Sequence, residues 1–379
     1  MCIRDRVKVS NLYIGTLSGT SADSIDAALF DFGKKIKLIG SLSKKIPQEL
    51  KAKILKLSNS KKNLHANPTK ELLELDESFA IETANLINKL LKKFNIDKNL
   101  IRAIGSHGQT IQHFPKIDNP YSLQIGNPVL ISELTEIKTV ANFRKANVEN
   151  GGIGAPLTPA FHKEIFFSKK FNRVIVNIGG ISNITRLIPG KKVIGWDSGP
   201  GNCLIDQCVQ EFSNNKKQYD DKGKVAKKGN PHNLEKIIEK VLSSDYFQET
   251  LPKSQSILNF NFKKISKSNL KESSFADWTS AMTEITALSI ARDLIKFCNM
   301  QKVEIYICGG GSKNEFLIER LKNHLSDNFK IKKINSLGID PMLIEACTFA
   351  WLGKKRIEKK KINLRNSTGA KPSLLGEIY

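Results

Sequence analysis

Three stretches of the sequence set glycine beside hydroxyl or acidic side chains directly after a β-rich run. They are LSGTSADSID (Leu17 to Asp26), VNIGGISNI (Val176 to Ile184) and ICGGGSKN (Ile307 to Asn314). Glycine lets a backbone turn sharply and approach a ligand closely, and successive N–H groups with Ser and Thr hydroxyls form a concavity for anionic oxygens. One such turn reads as an ordinary connection, whereas three in one chain point to phosphate binding. No G-x-x-x-x-G-K-[ST] loop is present, which excludes a P-loop enzyme. A fourth tract, GWDSGPGN, sets Asp197 at the end of the run KKVIGW and ahead of Gly199, Pro200 and Gly201. A carboxylate on so stiff a turn is in a position to face a cleft. The competing reading is a helix cap, for which Ser198 is better placed than Asp197.

The elements that must position these residues alternate. From Asn11 the chain reads as a strand, a polar turn and a returning strand, with KIKLIGSL as a third strand. Lys70 to Phe94 carries apolar residues at helical spacing and lysines at its end, which predicts a long amphipathic helix. IRAIGSHG, KTVANF, RVIVNIGG, KKVIGW, VEIYICGGG and FKIKKI read as strands. Helices are expected over Ser274 to Asn299, from about Asn314, and from Asp340 to Leu352. This alternation argues α/β architecture with largely buried sheets. Residues 214–271 are rich in Lys and Ser, are the least patterned, and read as surface insertions.

At 379 residues two lobes are expected, each large enough for a core of its own. The formal charge of +23 comes from 60 Lys and Arg against 37 Asp and Glu, with lysine in runs and little interleaved aromatic content. That pattern suits a solvated basic surface that attracts anionic small molecules. It lacks the arginine-rich grooves and stacking aromatics of nucleic-acid readers. No apolar run approaches the roughly 18 residues of a membrane span. The six cysteines form no C-x-x-C pair and suit a reducing cytosol. Met1 to Arg6 resemble nothing else in the chain and read as non-native, and no secretory leader is read at the start.

A hairpin bearing hydroxyls and an acidic residue, followed by two glycine turns, is the layout of the sugar-kinase, actin and chaperone ATPase superfamily. The resemblance narrows with YIGTLSGTSADSIDAALFDF, GSHGQTIQHFP, LQIGNPVLISELTEIKTVANFR, GGIGAPLTPAFH, VNIGGISNITRL, GWDSGPGNCLIDQ, ICGGGSKNEFLIERL, GIDPMLIEACTFAWL and TGAKPSLLGEIY. In this order, from Tyr13 to Tyr379, these segments resemble the motifs of the anhydro-N-acetylmuramic acid kinase family. The resemblance implies an α/β, two-lobed actin-like ATPase (ribonuclease H-like) fold with the nucleotide in the interlobe cleft. It implies an N-terminal lobe over 1–139, joined by the tail 363–379, and a C-terminal lobe over 140–362. The implied activity uses ATP, Mg2+ and water to open 1,6-anhydro-N-acetylmuramic acid and phosphorylate its 6-oxygen, in cytoplasmic peptidoglycan recycling, by a homodimer.

By match to the family motifs, Asp197 is the base that takes a proton from water. Gly19, Thr20, Ser21, Ala22, Asp23, Ser24, Ile25 and Asp26 form the phosphate turn, and Asp23 meets magnesium through water. Gly179 and Gly180, with Gly309, Gly310 and Gly311, line the same cleft for phosphates and adenosine. His107, Gln109, Thr110, Arg144 and Glu345 are the sugar contacts, Arg144 as the fork that can hold a carboxylate. Some positions depart from the motifs: Ser24, Asn142, Asn147 and Ile153 replace Gly, Asp, Asp and Gln, and only PKS of the tract near Leu251 is kept. The two lost carboxylates are expected to change substrate choice or a hydrogen-bond relay at the sugar site. Ser24 would cost about 1 kcal/mol if its turn needed φ > 0. Rival readings are a kinase of another anhydrosugar such as levoglucosan, and a nucleotide-gated actin-like protein without catalysis.

Overall fold

The computed structural model describes residues 10–379 apart from 20, 61, 116, 117, 252, 256 and 268–272. The expectations for Met1 to Arg6 and for Thr20 therefore lie outside the described residues. In the first half the strands are β1 (Leu12–Ser18), β2 (Ser24–Phe32), β3 (Ile36–Lys45), β4 (Ile101–Ser106), β5 (Gln109–Phe114), β6 (Tyr121–Ile125) and β7 (Thr139–Ala141). The helices there are α1 (Gln48–Ser58), α2 (Lys70–Phe94), α3 (Pro128–Thr135), α4 (Phe143–Glu149) and α5 (Thr158–Phe166). Then follow β8 (Asn172–Ile178), β9 (Ile181–Leu187), β10 (Ile194–Pro200), β11 (Val303–Cys308), β12 (Phe329–Lys333) and β13 (Glu377–Ile378). Their helices are α6 (Cys203–Phe212), α7 (Glu235–Leu242), α8 (Asp245–Gln248), α9 (Phe262–Ile265), α10 (Phe275–Cys298), α11 (Glu315–Asn323), α12 (Ile344–Ile357) and α13 (Arg365–Thr368).

Two sheets carry the architecture. One runs β13-β7-β4-β1-β2-β3 and the other β10-β9-β8-β11-β12. In each, three consecutive strands pair antiparallel, and a fourth and fifth then add in parallel on the far side of the first. The strand order third, second, first, fourth, fifth thus occurs twice, which is the duplicated ribonuclease H-like sheet of the actin-like fold. The antiparallel joints are short turns, two of which (β1–β2 and β8–β9) are glycine-rich segments, while the third such segment, Gly309–Gly311, opens the crossover from β11. The parallel joints are long crossovers that cover the sheet faces with helices.

Helix α2 keeps the bounds its periodicity predicts. Thr69 Oγ1 accepts from Leu72 N–H at its start, and Asn95 closes it at φ 52°, while Leu72, Leu75, Phe79, Leu86 and Leu90 line the buried face. Helix α10 starts on a reciprocal capping box between Ser274 and Asp277. Helix α12 begins four residues later than expected, since the residue before Pro341 is disfavoured in helix, and runs on to Ile357. It crosses β1 and β4 at backbone distance. A Cβ on Gly15 would lie 1.8 Å from the Ala346 carbonyl, and one on Gly105 1.9 Å from that of Phe349. The cluster around α12 also takes in Ile175, Leu187 and Tyr306 of the second sheet, so one core joins both sheets.

Residues 214–271 are not the surface insertion that their composition suggests. Leu234, Ile238, Leu242, Tyr246, Phe260 and Phe262 are buried in a core shared with α6 and α10. Asp220 folds its own segment by accepting from Val225 and Ala226 N–H, both at 2.9 Å. Short helical turns that bury one or two side chains each leave no periodic trace, which is why the pattern was illegible.

Candidate active site

Asp197 lies on β10, which is an edge strand. The strand does not end at Trp196 as its sequence suggests but runs on to Pro200, with a register shift between Asp197 and Gly199. A bulge of this kind re-aims a side chain. The displaced Ser198 turns inward, 2.7 Å from Ser182 Oγ, and α6 starts at Cys203 with Asn202 at its N-cap position, so neither Asp197 nor Ser198 serves as a helix cap. Asp197 is 7% exposed. Its Oδ2 accepts from Ser254 Oγ at 2.8 Å and Gln255 N–H at 3.0 Å, which leaves Oδ1 without a partner among the described residues. Burial pushes its pKa up, and the Gln255 amide, the Ser254 hydroxyl, Arg144 and Lys253 oppose that shift.

Opposite it stands Arg144 in the first turn of α4. Burial lowers its pKa, while the charges of Glu345 and Asp197 favour the guanidinium. Its Nε donates to His107 Nε2 at 2.9 Å and its Nη1 to the Gly154 carbonyl at 3.3 Å. The other nitrogen of His107, Nδ1, lies 2.9 Å from the Gly108 carbonyl. A carbonyl only accepts, so Nδ1 carries the proton and Nε2 is the acceptor. Both ring nitrogens are engaged, and burial with Arg144 brings the His107 pKa down to about 3, so the ring is neutral. Glu345, in the first turn of α12, accepts from Asn177 Nδ2 at 3.2 Å; burial raises its pKa and Arg144 opposes the rise. It is therefore not an exposed helix residue. Asp197, Arg144, His107 and Glu345 converge from four elements on one place.

The glycine turns of the second sheet meet beside it. The Gly179 and Gly180 carbonyls accept from N–H groups of residues 201–203, at 2.7 to 3.2 Å. Gly309 sits at φ 78°, and a Cβ there would lie 2.4 Å from Asn177 Oδ1. Its N–H reaches the Pro341 carbonyl at 3.1 Å, which ties this turn to the approach of α12. Gly310 and Gly311 lie beside the Asn202 side chain.

On the first sheet, the residue at positive φ is Ala22 (φ 51°), whereas Ser24 is ordinary strand. The backbone cost anticipated for Ser24 therefore does not arise. The turn closes through Ala22 N–H to the Gly19 carbonyl at 3.0 Å and spans Gly19, Ser21, Ala22 and Asp23 of the described residues. Ser24, Ile25 and Asp26 open β2; Ile25 is packed in the core and Asp26 bonds Ser43 and Ser24. Asp23 pairs with Lys51 of α1. Across the cleft, Asp206 of α6 feels both, and burial with Asp23 and Asp220 carries its pKa up to about 7 against the pull of Lys51. Thr16 Oγ1, Ser18 Oγ and Gln109 Oε1 are buried without a hydrogen-bond partner among the described residues. Thr110 is held within the β5–β6 hairpin, 3.3 Å from Gln124 Nε2.

Asn142 and Asn147, two of the positions that depart from the motifs, are both hydrogen-bonded to the C-terminal tail. Asn142 Nδ2 donates to Glu377 Oε2 at 2.9 Å and Tyr379 OH at 2.7 Å, and Asn147 donates to Thr368 Oγ1 at 3.0 Å. Asn147 Oδ1 also accepts from Gly154 N–H at 2.9 Å, and so supports Arg144 at one remove. Sequence reasoning missed Asn177, Asn202, Ser254, Gln255 and His113. His113 lies within GSHGQTIQHFP, and neither ring nitrogen has a partner among the described residues. The signal for Ser254 and Gln255 was the retained PKS, set aside because the tract around it had diverged.

Among the described residues no three His, Cys, Asp or Glu side chains gather as a metal site. None of their helices is long and apolar enough to cross a membrane. The family model for anhydro-N-acetylmuramic acid kinase matches residues 11–379. The chain is 41% identical over 373 residues to an anhydro-N-acetylmuramic acid kinase of Coxiella burnetii, with 97% of each chain covered. To the enzyme of that name from Shewanella pealeana it is 38% identical, over 98% of this chain and 99% of that one. A ROK family glucokinase from Streptomyces griseus, solved with glucose and AMPPNP, aligns over 91% of this chain and 99% of its own, at 13% identity and a TM-score of 0.41. A match along nearly the whole length, at this identity, is decisive: the chain belongs to the anhydro-N-acetylmuramic acid kinase family.

Proposed function

We propose that this protein opens 1,6-anhydro-N-acetylmuramic acid with water and transfers the γ-phosphoryl group of ATP to its 6-oxygen, giving N-acetylmuramic acid 6-phosphate and ADP. Asp197 Oδ1 takes a proton from the water as its oxygen bonds to the anomeric carbon. The bond from that carbon to the bridging oxygen breaks, and the freed 6-oxygen attacks the γ-phosphorus as the β,γ-bridging oxygen leaves with ADP. The observation that carries this reading is a buried carboxylate with one oxygen clamped and the other free, facing an arginine and flanked by glycine turns. Arg144, held by neutral His107 and by Gly154, is assigned to a carboxylate or ring oxygen of the sugar, with Glu345, Gln109 and Thr110 as further sugar contacts. The turns at Gly19–Asp23, Gly179–Gly180 and Gly309–Gly311 are assigned to the nucleotide.

Magnesium, when bound, would neutralise the phosphates. The residues fit a water-mediated ion: Asp23 is a half-exposed hard-oxygen donor, paired here with a lysine that a cation could displace. In place of lobes over 1–139 with the tail 363–379 and over 140–362, we draw the boundary after β7 and count α12, which lies on β1 and β4, with the first lobe and its tail. A cytoplasmic homodimer without nucleic-acid partners goes with this reading, and its five described cysteines, all buried and unpaired, suit a reducing compartment.

The test is to follow ADP and sugar 6-phosphate together with anhydro-N-acetylmuramic acid, ATP and Mg2+, beside levoglucosan. One ADP per phosphorylated sugar is expected, and Asp197→Asn should lower kcat by roughly 10²- to 10⁴-fold. Activity on levoglucosan alone would replace the substrate, and an active Asp197→Asn would remove the base.

A further inference from the structure

Behind Asp197 lies a buried ion pair that the reaction does not touch. Lys253 Nζ meets Asp293 of α10 at 3.1 Å, and the two side chains are 0% and 6% exposed. The same carboxylate accepts from the Trp196 indole N–H at 2.8 Å, and Trp196 precedes Asp197 on β10. The Lys253 ammonium also sits 4.9 Å from the centre of the Tyr246 ring, and the Tyr246 hydroxyl donates to the Asp197 carbonyl. The Lys253 carbonyl accepts from Asp197 N–H at 3.0 Å, so the 253–255 segment runs along the free edge of β10. The next two residues supply both donors to Asp197 Oδ2.

A lysine this deep is costly unless paired, so Asp293 fixes where Lys253 goes, and with it the segment that grips the carboxylate. We infer that Lys253 and Asp293 are positioning residues for the base: their ion pair docks residues 253–255 on the edge of β10, so that Ser254 and Gln255 immobilise one carboxylate oxygen and aim the other at water. The inference rests on the proposed role of Asp197. The charged and titratable groups that face Asp197 are Arg144 from α4, Lys253 from the edge segment and Tyr246 from α8, with Glu345 of α12 acting on Arg144. Asp293 in turn faces Lys253, Trp196 and, at longer range, Lys296. Lys253 therefore also adds a positive charge that favours the ionised base.

The experiment is the pH dependence of kcat for Lys253→Met and for Lys253→Met/Asp293→Leu, the second of which buries no lone charge. The acid limb should move up by about one pH unit. The plateau should fall by roughly 10- to 100-fold, with KM for ATP within about threefold of the parent. Folded variants whose acid limb stays where the parent has it would overturn the proposal. So would failure of both variants to fold, since the pair would then be structural. Asp197→Asn keeps the two readings apart: if it is active the base assignment fails, and if it is inactive while the limbs stay fixed only the positioning role fails.

Discussion

Asn142 is explained by its neighbours, because its amide donates to both Glu377 and the Tyr379 hydroxyl. An aspartate here would set its carboxylate against Glu377, whose pKa is pushed down to about 2 by hydrogen bonds from Tyr379 and Asn142 and by Lys145. We predict that Asn142→Asp lowers stability by about 1–2 kcal/mol near neutral pH with kcat unchanged, read as a fall in melting temperature. Glu377 has a folded pKa below the unfolded one, so its contribution is full above the ordinary carboxylate pKa and is lost as the pH falls toward 2. The penalty of the variant should shrink over that window, and a penalty independent of pH would contradict the account. The residues proposed for the site differ in how far sequence reveals them. Asp197, Arg144 and Glu345 are legible because each sits in a motif of distinctive residues. Ser254 and Gln255 are less so, because the tract around the retained PKS has diverged and Gln255 acts through a backbone N–H that any residue but proline could supply.

At the scale of elements, α12 connects the core to the chemistry. It lies on β1 and β4 only because Gly15 and Gly105 have no side chain, and its first turn carries Glu345. We predict that Gly105→Ala, which meets the unyielding Phe349 carbonyl, costs about 1–3 kcal/mol or more and lowers kcat/KM by displacing Glu345. An unchanged melting temperature would contradict that packing. Elements with a strong period, such as α2 and α10, could be read almost to the residue. The stretch between Asn214 and Lys271 could not, since its fold depends on Asp220 bonding two nearby amides and on single apolar anchors such as Phe262. The bulge at Asp197 was likewise invisible, because it exists only relative to its partner strand β9.

For the whole molecule, the repeated strand order sets two glycine-lined sheet ends against each other, with α12 and its core joining the halves. Three histidines inside this frame, His107, His113 and His162, are held neutral, with burial bringing each pKa down to about 3. A folded pKa below the unfolded value means that their stabilisation is full above about 6.5 and is lost progressively as the pH falls toward 3. The melting temperature should therefore drop steadily from pH 6.5 to 4, and a flat profile there would contradict their burial. The proposed reaction fixes where the water goes, and the direct measurement is turnover in ¹⁸O-labelled water with immediate reduction of the product and mass analysis. One ¹⁸O is expected on the anomeric carbon of each sugar 6-phosphate, with none in the phosphoryl group. Label in phosphate, or product without label, would mean that water attacks phosphorus or is not used, and would contradict the coupled opening and transfer.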